Sequence, residues 1–148
     1  MVRLRAVREE DLDVLFAHQS DPEAARLAGF PARDRAAFTT HWRRIMADPT
    51  VATYAVDVDG EVAGNAVAWW DGGHREIGYW IGRDRWGRGV ATRAVALLTA
   101  LEPERPLLAF VAEHNAPSVR VLEKNGFVRT PERDLVERGL RYVALTLA

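Results

Sequence analysis

The stretch from Glu76 to Ala100, EIGYWIGRDRWGRGVATRAVALLTA, constrains this chain more than any other. It begins as an alternating strand, passes through a turn holding Gly87 and Gly89, and continues as a helix. Val90, Ala94, Leu97, Leu98 and Leu101 are expected on one helical face, at the 3.6-residue period. The first turn of a helix has N–H groups without intrahelical partners and carries roughly half a positive charge. A strand, a glycine-bearing turn and a helix start therefore make a grip for phosphate. Two glycines are also ordinary in any strand-to-helix turn, so this stretch alone leaves function open.

Competing phosphate motifs fit poorly. A dinucleotide fingerprint needs glycine or alanine where Thr92 stands, and needs an early strand. No GxxxxGK[ST] sequence occurs. The net charge of -1 argues against general nucleic-acid binding, and every basic residue except Lys124 is arginine. With no cysteine, disulfides, thiolate metal sites and cysteine nucleophiles are excluded. His18, His41, His74 and His114 are scattered without a metal-ligand spacing, so no metal is expected. No apolar run approaches the ~20 residues of a membrane span, and the start has no apolar leader region, so a cytoplasmic location is expected. A length of 148 residues without a linker or repeat predicts one domain over 1–148.

Taken in order, the chain opens with an alternating strand at Val2, Leu4 and Ala6. A helix follows with Leu12, Leu15 and Phe16 inward, interrupted at Asp21-Pro22. Residues 27–33 read as a loop. Asp34 is placed to cap a helix burying Phe38, Trp42, Ile45 and Met46, which Asp48-Pro49 ends. Residues 51–81 read as a three-strand antiparallel meander, with Asp59-Gly60 as its first hairpin turn. After the long helix, the apolar run Leu107–Ala112 predicts a strand covered on both faces. A helix from Asn115 to Lys124, a short strand at 127–129 and a last strand at 142–147 complete the order. The two late strand–helix–strand units imply parallel pairing at the centre of the sheet. The fold class is α/β, a mixed central sheet of about six to seven strands flanked by about four helices.

With this order in hand, two segments carry a family resemblance. Ile81–Ala91, IGRDRWGRGVA, is similar to the acyl-CoA loop Gln/Arg-x-x-Gly-x-Gly/Ala of the GCN5-related N-acetyltransferases (GNAT). Trp86 stands at the Gln/Arg position, Gly89 at the glycine and Ala91 at the closing small residue. Asn115–Phe127, NAPSVRVLEKNGF, is like the family's N-x-x-S…K-x-G-F segment. The set IGYWI…WGRGVAT…N-x-x-S…EKNGF resembles the branch that acetylates protein N-termini, including ribosomal-protein alanine and serine N-acetyltransferases. That branch also holds many members acting on small molecules.

The resemblance implies acetyl-CoA as cosubstrate and a primary amine as acceptor, a protein or peptide N-terminus ahead of a small molecule such as an aminoglycoside or polyamine. A non-catalytic acyl-CoA-binding module is the alternative from another class. It implies that backbone N–H groups across Trp86, Gly87, Arg88, Gly89, Val90, Ala91 and Thr92 face the pyrophosphate. The strand Tyr79-Trp80-Ile81 would splay from 107–112 near a bulge and pair with the pantetheine, chiefly through Ile81. The Tyr79 N–H would meet the thioester carbonyl, where oxyanion charge develops. Asn115 would contact the pantetheine arm, Ser118 the sulfur and Lys124 the nucleotide end. Helix capping is the plainer reading of Asn115 and Ser118. Glu76 is the candidate base, since an amine is mostly protonated near neutral pH; the expected bulge leaves the face it presents open. Leu122 occupies the position where many members carry a tyrosine acid, so Ser118 or water must serve, or no acid is needed. Family members are often homodimers.

Overall fold

The computed structural model describes residues 1–148. Eight strands form one sheet: β1 (Val2–Ala6), β2 (Ala52–Val58), β3 (Glu61–Asp71), β4 (His74–Ile81), β5 (Leu107–Ala112), β6 (Val128–Arg129), β7 (Leu135–Glu137) and β8 (Leu140–Leu147). Five helices accompany them: α1 (Leu12–Gln19), α2 (Pro22–Ala28), α3 (Arg35–Ala47), α4 (Val90–Leu101) and α5 (Ala116–Lys124). The mixed α/β architecture is the expected one, with one strand and one helix more. No helix is long and apolar enough to cross a membrane.

The spatial order is β1-β2-β3-β4-β5-β8-β6, with β7 also on β8. Strands β1 to β4 are antiparallel throughout. The β2–β3 turn has positive φ at both Asp59 (51°) and Gly60 (90°), matching the right-handed twist of a hairpin. Only β4 and β5 are parallel, joined through α4. The second expected parallel pairing does not form: β6 runs parallel to β5, but β8 inserts antiparallel between them. The burial explains it. Tyr142–Leu145 are all buried, which suits an interior strand, whereas the two residues of β6 are exposed and suit an edge.

Two apolar cores cover the two faces of the sheet. One contains Ile77, Ile81, Val90, Ala94, Leu98, Leu107 and Leu122, and packs α4 and α5 against it. The other contains Leu12, Leu15, Phe38 and Trp42, from α1 and α3, with Val7 from the link after β1. In α4 the buried face turns slightly from the expected one: Val95 is buried and Leu101 is exposed at the C-terminal end. The Asp21-Pro22 pair starts a helix instead of merely interrupting one. Asp21 accepts a hydrogen bond from the Glu23 N–H at 3.0 Å, and Pro22 fills the first turn, where a missing donor costs nothing. So the expected loop at 27–33 is helical as far as Ala28, and Gly29 ends α2 in the left-handed region.

Candidate active site

Strands β4 and β5 pair only at Arg75 with Leu107 and Glu76 with Leu108. Beyond Glu76 they diverge, while β4 stays in register with β3 up to Ile81. The V between them opens into a cavity of ≈ 510 Å³. Tyr79, Trp80 and Ile81 form one wall, α2 and α5 others, and the turn before α4 the far end. The closed end of the V is fastened by Arg75, which reaches the Thr50 carbonyl at 2.7 Å and, in the interior, the Glu102 carboxylate at 2.8 Å.

Helix termini set the cavity's far end apart. Three helices begin under a side-chain cap: Asp21 for α2, Asp34 for α3 and Asn115 for α5. Neither α1, which continues from a 3-10 turn at Glu9–Asp11, nor α4 has one; in α4 the N-cap is Gly89, at φ 76°. The N–H groups of Val90, Ala91 and Thr92 thus open the helix uncapped, and all three residues line the cavity. Gly87, also left-handed at φ 75°, lines it too. A Cβ added at Gly87 or Gly89 would meet no protein atom within 4 Å, so the space beside both glycines is open. Arg120 and Lys124, from α5, and Arg85, which is paired with Glu61 at 2.9 Å, also line the cavity. Arg88 is exposed in the turn and does not border the cavity. Arg83 is held at 2.9 Å by Asp21.

Trp86 takes a part that its aromatic character does not announce. Its indole N–H donates to the Ile81 carbonyl at 2.8 Å, spanning from the turn back to the end of β4. The ring therefore braces the open edge of the strand. A carbonyl oxygen has two lone pairs, so Ile81 keeps one for a second donor.

At the other end of the cavity, the Tyr79 hydroxyl contacts Ser118, hydrogen-bonding its Oγ and lying 3.3 Å from its carbonyl oxygen. Burial pushes the Tyr79 phenol up to about 12 against the opposing effect of Ser118. Asn115 lines the cavity and also caps α5, accepting from the Ser118 N–H at 3.3 Å. Leu122 is fully buried in the core and does not reach the cavity.

Glu76 lies outside the cavity wall, at the closed end of the V. The expected bulge is absent: β3 and β4 pair without a register shift from Asp71/His74 to Gly64/Ile81. Regular alternation then puts Glu76 on the same face as Trp80, toward α1 and α3, and Tyr79 on the opposite face, toward α4 and α5. The side chain of Glu76 is only 14% exposed, and His74 Nε2 lies 3.4 Å from its carboxylate. Burial raises the Glu76 pKa above the ordinary carboxylate value; the His74 contact works against that, and the nearby charges of Asp71 and Glu137 add to it. One ligand atom each from Asp71, His74 and Glu76 falls within 4.8 Å of the others. Glu76 takes no part in the Arg75 ion pair, which lies on the other face.

A sequence model of the family described as "Acetyltransferase (GNAT) domain" matches residues 2–128. The chain belongs to the GNAT acetyltransferases. It is 30% identical to the uncharacterized N-acetyltransferase p20 of Bacillus licheniformis, over 88% of this chain and 83% of that one. Among solved structures, the fold is like that of the aminoglycoside acetyltransferase AAC(6')-Ib in complex with coenzyme A. The TM-score is 0.82 at 22% identity, covering 99% of this chain and 94% of that one. It is also like spermidine N-acetyltransferase from Vibrio cholerae in complex with CoA and spermine, with TM-score 0.79 at 16% identity, covering 99% and 94%.

In this GNAT chain the cavity gathers most of the residues named from sequence. Tyr79, Trp80, Ile81, Trp86, Gly87, Gly89, Val90, Ala91, Thr92, Asn115, Ser118 and Lys124 all line it, and Glu76 and Arg88 do not. Sequence reading passed over Arg85 and Arg120. Both are arginines within segments already singled out, and only the fold distinguishes them from Arg88. The α2 wall, Ala24, Leu27 and Ala28, was hidden by reading part of that helix as loop.

Proposed function

We propose that this GNAT protein moves the acetyl group of acetyl-CoA to a primary amine by direct attack in a ternary complex. The observation that carries this is the divergence of β4 from β5 beside the uncapped, glycine-opened start of α4. An extended pantetheine can pair with the open strand edge, and a pyrophosphate can take the N–H groups of Val90, Ala91 and Thr92. The Tyr79 N–H would meet the thioester carbonyl. Glu76, reached through water, would take the amine proton, and its raised pKa brings it closer to that task.

For the acceptor, the group of Asp71, Glu76 and Glu137 beside the closed end of the V favours a small amine carrying more than one positive charge. The solved relatives named for aminoglycosides and spermidine agree with that class. A protein N-terminus is the second reading, favoured by the sequence set IGYWI…WGRGVAT…EKNGF. The test is thiol release from acetyl-CoA over a panel of polyamines, aminoglycosides and peptides beginning in alanine or serine. Turnover restricted to the peptides would reject the small-cation reading. Tight CoA binding with no release on any amine would reject turnover altogether.

A further inference from the structure

Helix α2 buries little of itself. Among its residues only Ala24 is buried, and Ala24, Leu27 and Ala28 line the cavity. With so little apolar contact, its position is left to polar bonds at its two ends. At the N-terminal end, Asp21 has two partners. One carboxylate oxygen accepts from the Glu23 N–H and caps the helix; the other lies 2.9 Å from Arg83 Nε. Close by, His18 of α1 packs so tightly on Gly82 that a Cβ there would meet its Nε2 at 2.6 Å. Gly82 and Arg83 directly follow β4, and the Gly82 N–H donates to the Ala63 carbonyl of β3 at 2.8 Å. This end of α2 is therefore fastened to the β1–β4 side of the gap.

The C-terminal end is fastened to the other side. The Tyr142 hydroxyl donates to the Gly29 carbonyl at 2.5 Å and accepts from the Arg138 guanidinium at 2.8 Å. A carbonyl cannot donate and a guanidinium cannot accept, so both directions are fixed. His114 Nε2 lies 2.8 Å from the Arg26 carbonyl and is the donor for the same reason. Tyr142 pairs with Ala112 in the β5–β8 ladder, and His114 follows β5. Strands β4 and β5 share no pairing beyond Glu76, so α2 joins the two sides where the sheet does not.

Resting on the acetyl-CoA reading, we propose that Asp21 and Tyr142 are positioning residues: they hold α2 across the gap, against the pantetheine arm, and so set how long the cosubstrate stays bound. Neither lines the cavity, so each acts through the residues that α2 turns toward it. A span fixed at both ends is released by the loss of either one. Two distant, independent changes multiply their effects on a rate. Here the second loss finds the span already loose, so the effects should not multiply. The ends lie roughly 12 Å apart along the helix, too far for direct contact to couple them.

The test needs no acceptor. Release of CoA from the full chain is followed by rapid mixing, with Trp80 and Trp86, which line the cavity, as fluorescent reporters. Arg83→Met removes the first bond at an exposed side chain and leaves the Asp21 cap in place. Tyr142→Phe removes the second and keeps the ring. Each should speed release about tenfold. The double variant should also stay near that value, well short of the product of about a hundredfold. Arg83→Lys keeps the cation and should restore most of the wild-type rate. His114→Ala, on the surface, repeats the test at the C-terminal end if Tyr142→Phe folds poorly; it should speed release and likewise fail to multiply with Arg83→Met. Effects that multiply, or wild-type release from the single variants, would overturn the proposal and leave the acetyl-CoA reading standing. A wild-type chain that binds no CoA would overturn both.

Discussion

The two ends of β4 are built on different principles. At its C-terminal end, Tyr79–Ile81 border an open edge beside an uncapped helix, and what they offer is chiefly backbone. At its N-terminal end, Arg75 and Glu76 are paired on both sides, and what His74 and Glu76 offer is side chains crowded by Asp71 and Glu137. A backbone site depends on turn geometry and on the absence of obstructing atoms. A side-chain site depends on which distant residues the fold brings together. The two should therefore fail differently when mutated.

The largest contrast is expected at Glu76. Glu76→Gln should lower kcat by roughly 10³-fold and leave the KM for acetyl-CoA nearly unchanged. In the wild type, the rate should rise with pH through a limb displaced above the ordinary carboxylate range, because burial raises this pKa. Glutamine should remove that limb. Wild-type rate in the variant would remove the carboxylate end from the chemistry.

At the backbone end, Gly89→Val should weaken CoA binding by about 10²-fold in calorimetry. The residue sits at φ 76°, where a β-branched side chain is strained, and the new atoms would enter the open cavity. Because no protein atom stands in the way, thermal stability should drop only by the backbone strain. Unaltered affinity would mean that the turn is not a ligand site.

These two ends were unequally legible in the sequence. Glycines at fixed spacing and a period switching from two to 3.6 are local signals, and they located the turn, α4 and the edge of β4 directly. The partners of Glu76 were not local. His74 and Asp71 are close in sequence, but Glu137 arrives from β7, and its approach depends on β8 inserting beside β5. That insertion was missed because β6 and β8 are both plausible neighbours until burial separates them. Trp86 was readable as a departure from a polar pattern, but its bond to the Ile81 carbonyl depends on the turn folding back over the strand.

Trp86→Phe gives a smaller, intermediate test of that bond. Losing one indole donor should cost about 1 kcal/mol of support at the strand edge, and so about fivefold in CoA affinity. An effect as large as that of Gly89→Val would make Trp86 a direct ligand contact instead of a brace.

The smallest effect expected is on stability. The folded-state pKa of Glu76 is raised, so the native chain holds that proton more tightly than the unfolded chain does. Its contribution to stability then falls as pH rises from the unfolded carboxylate value through the raised one. Above that window, Glu76→Gln should melt about a degree or two higher than wild type, while below it the two should converge. Lower melting of the glutamine variant at neutral pH would show that the charge is stabilised where it lies.

The pairing of β4 with β5 at just two positions has a mechanical consequence. The sheet is two plates, β1 to β4 and β5 to β8, hinged at Arg75 and Glu76. The Arg75–Glu102 and Arg75–Thr50 bonds act as its pin. A cosubstrate lying along the gap would serve as the missing rung of the ladder, so loading the enzyme also mends its sheet. Amides along the gap should exchange with water fastest in the empty protein and slow most on loading, far more than those of β1 and β2.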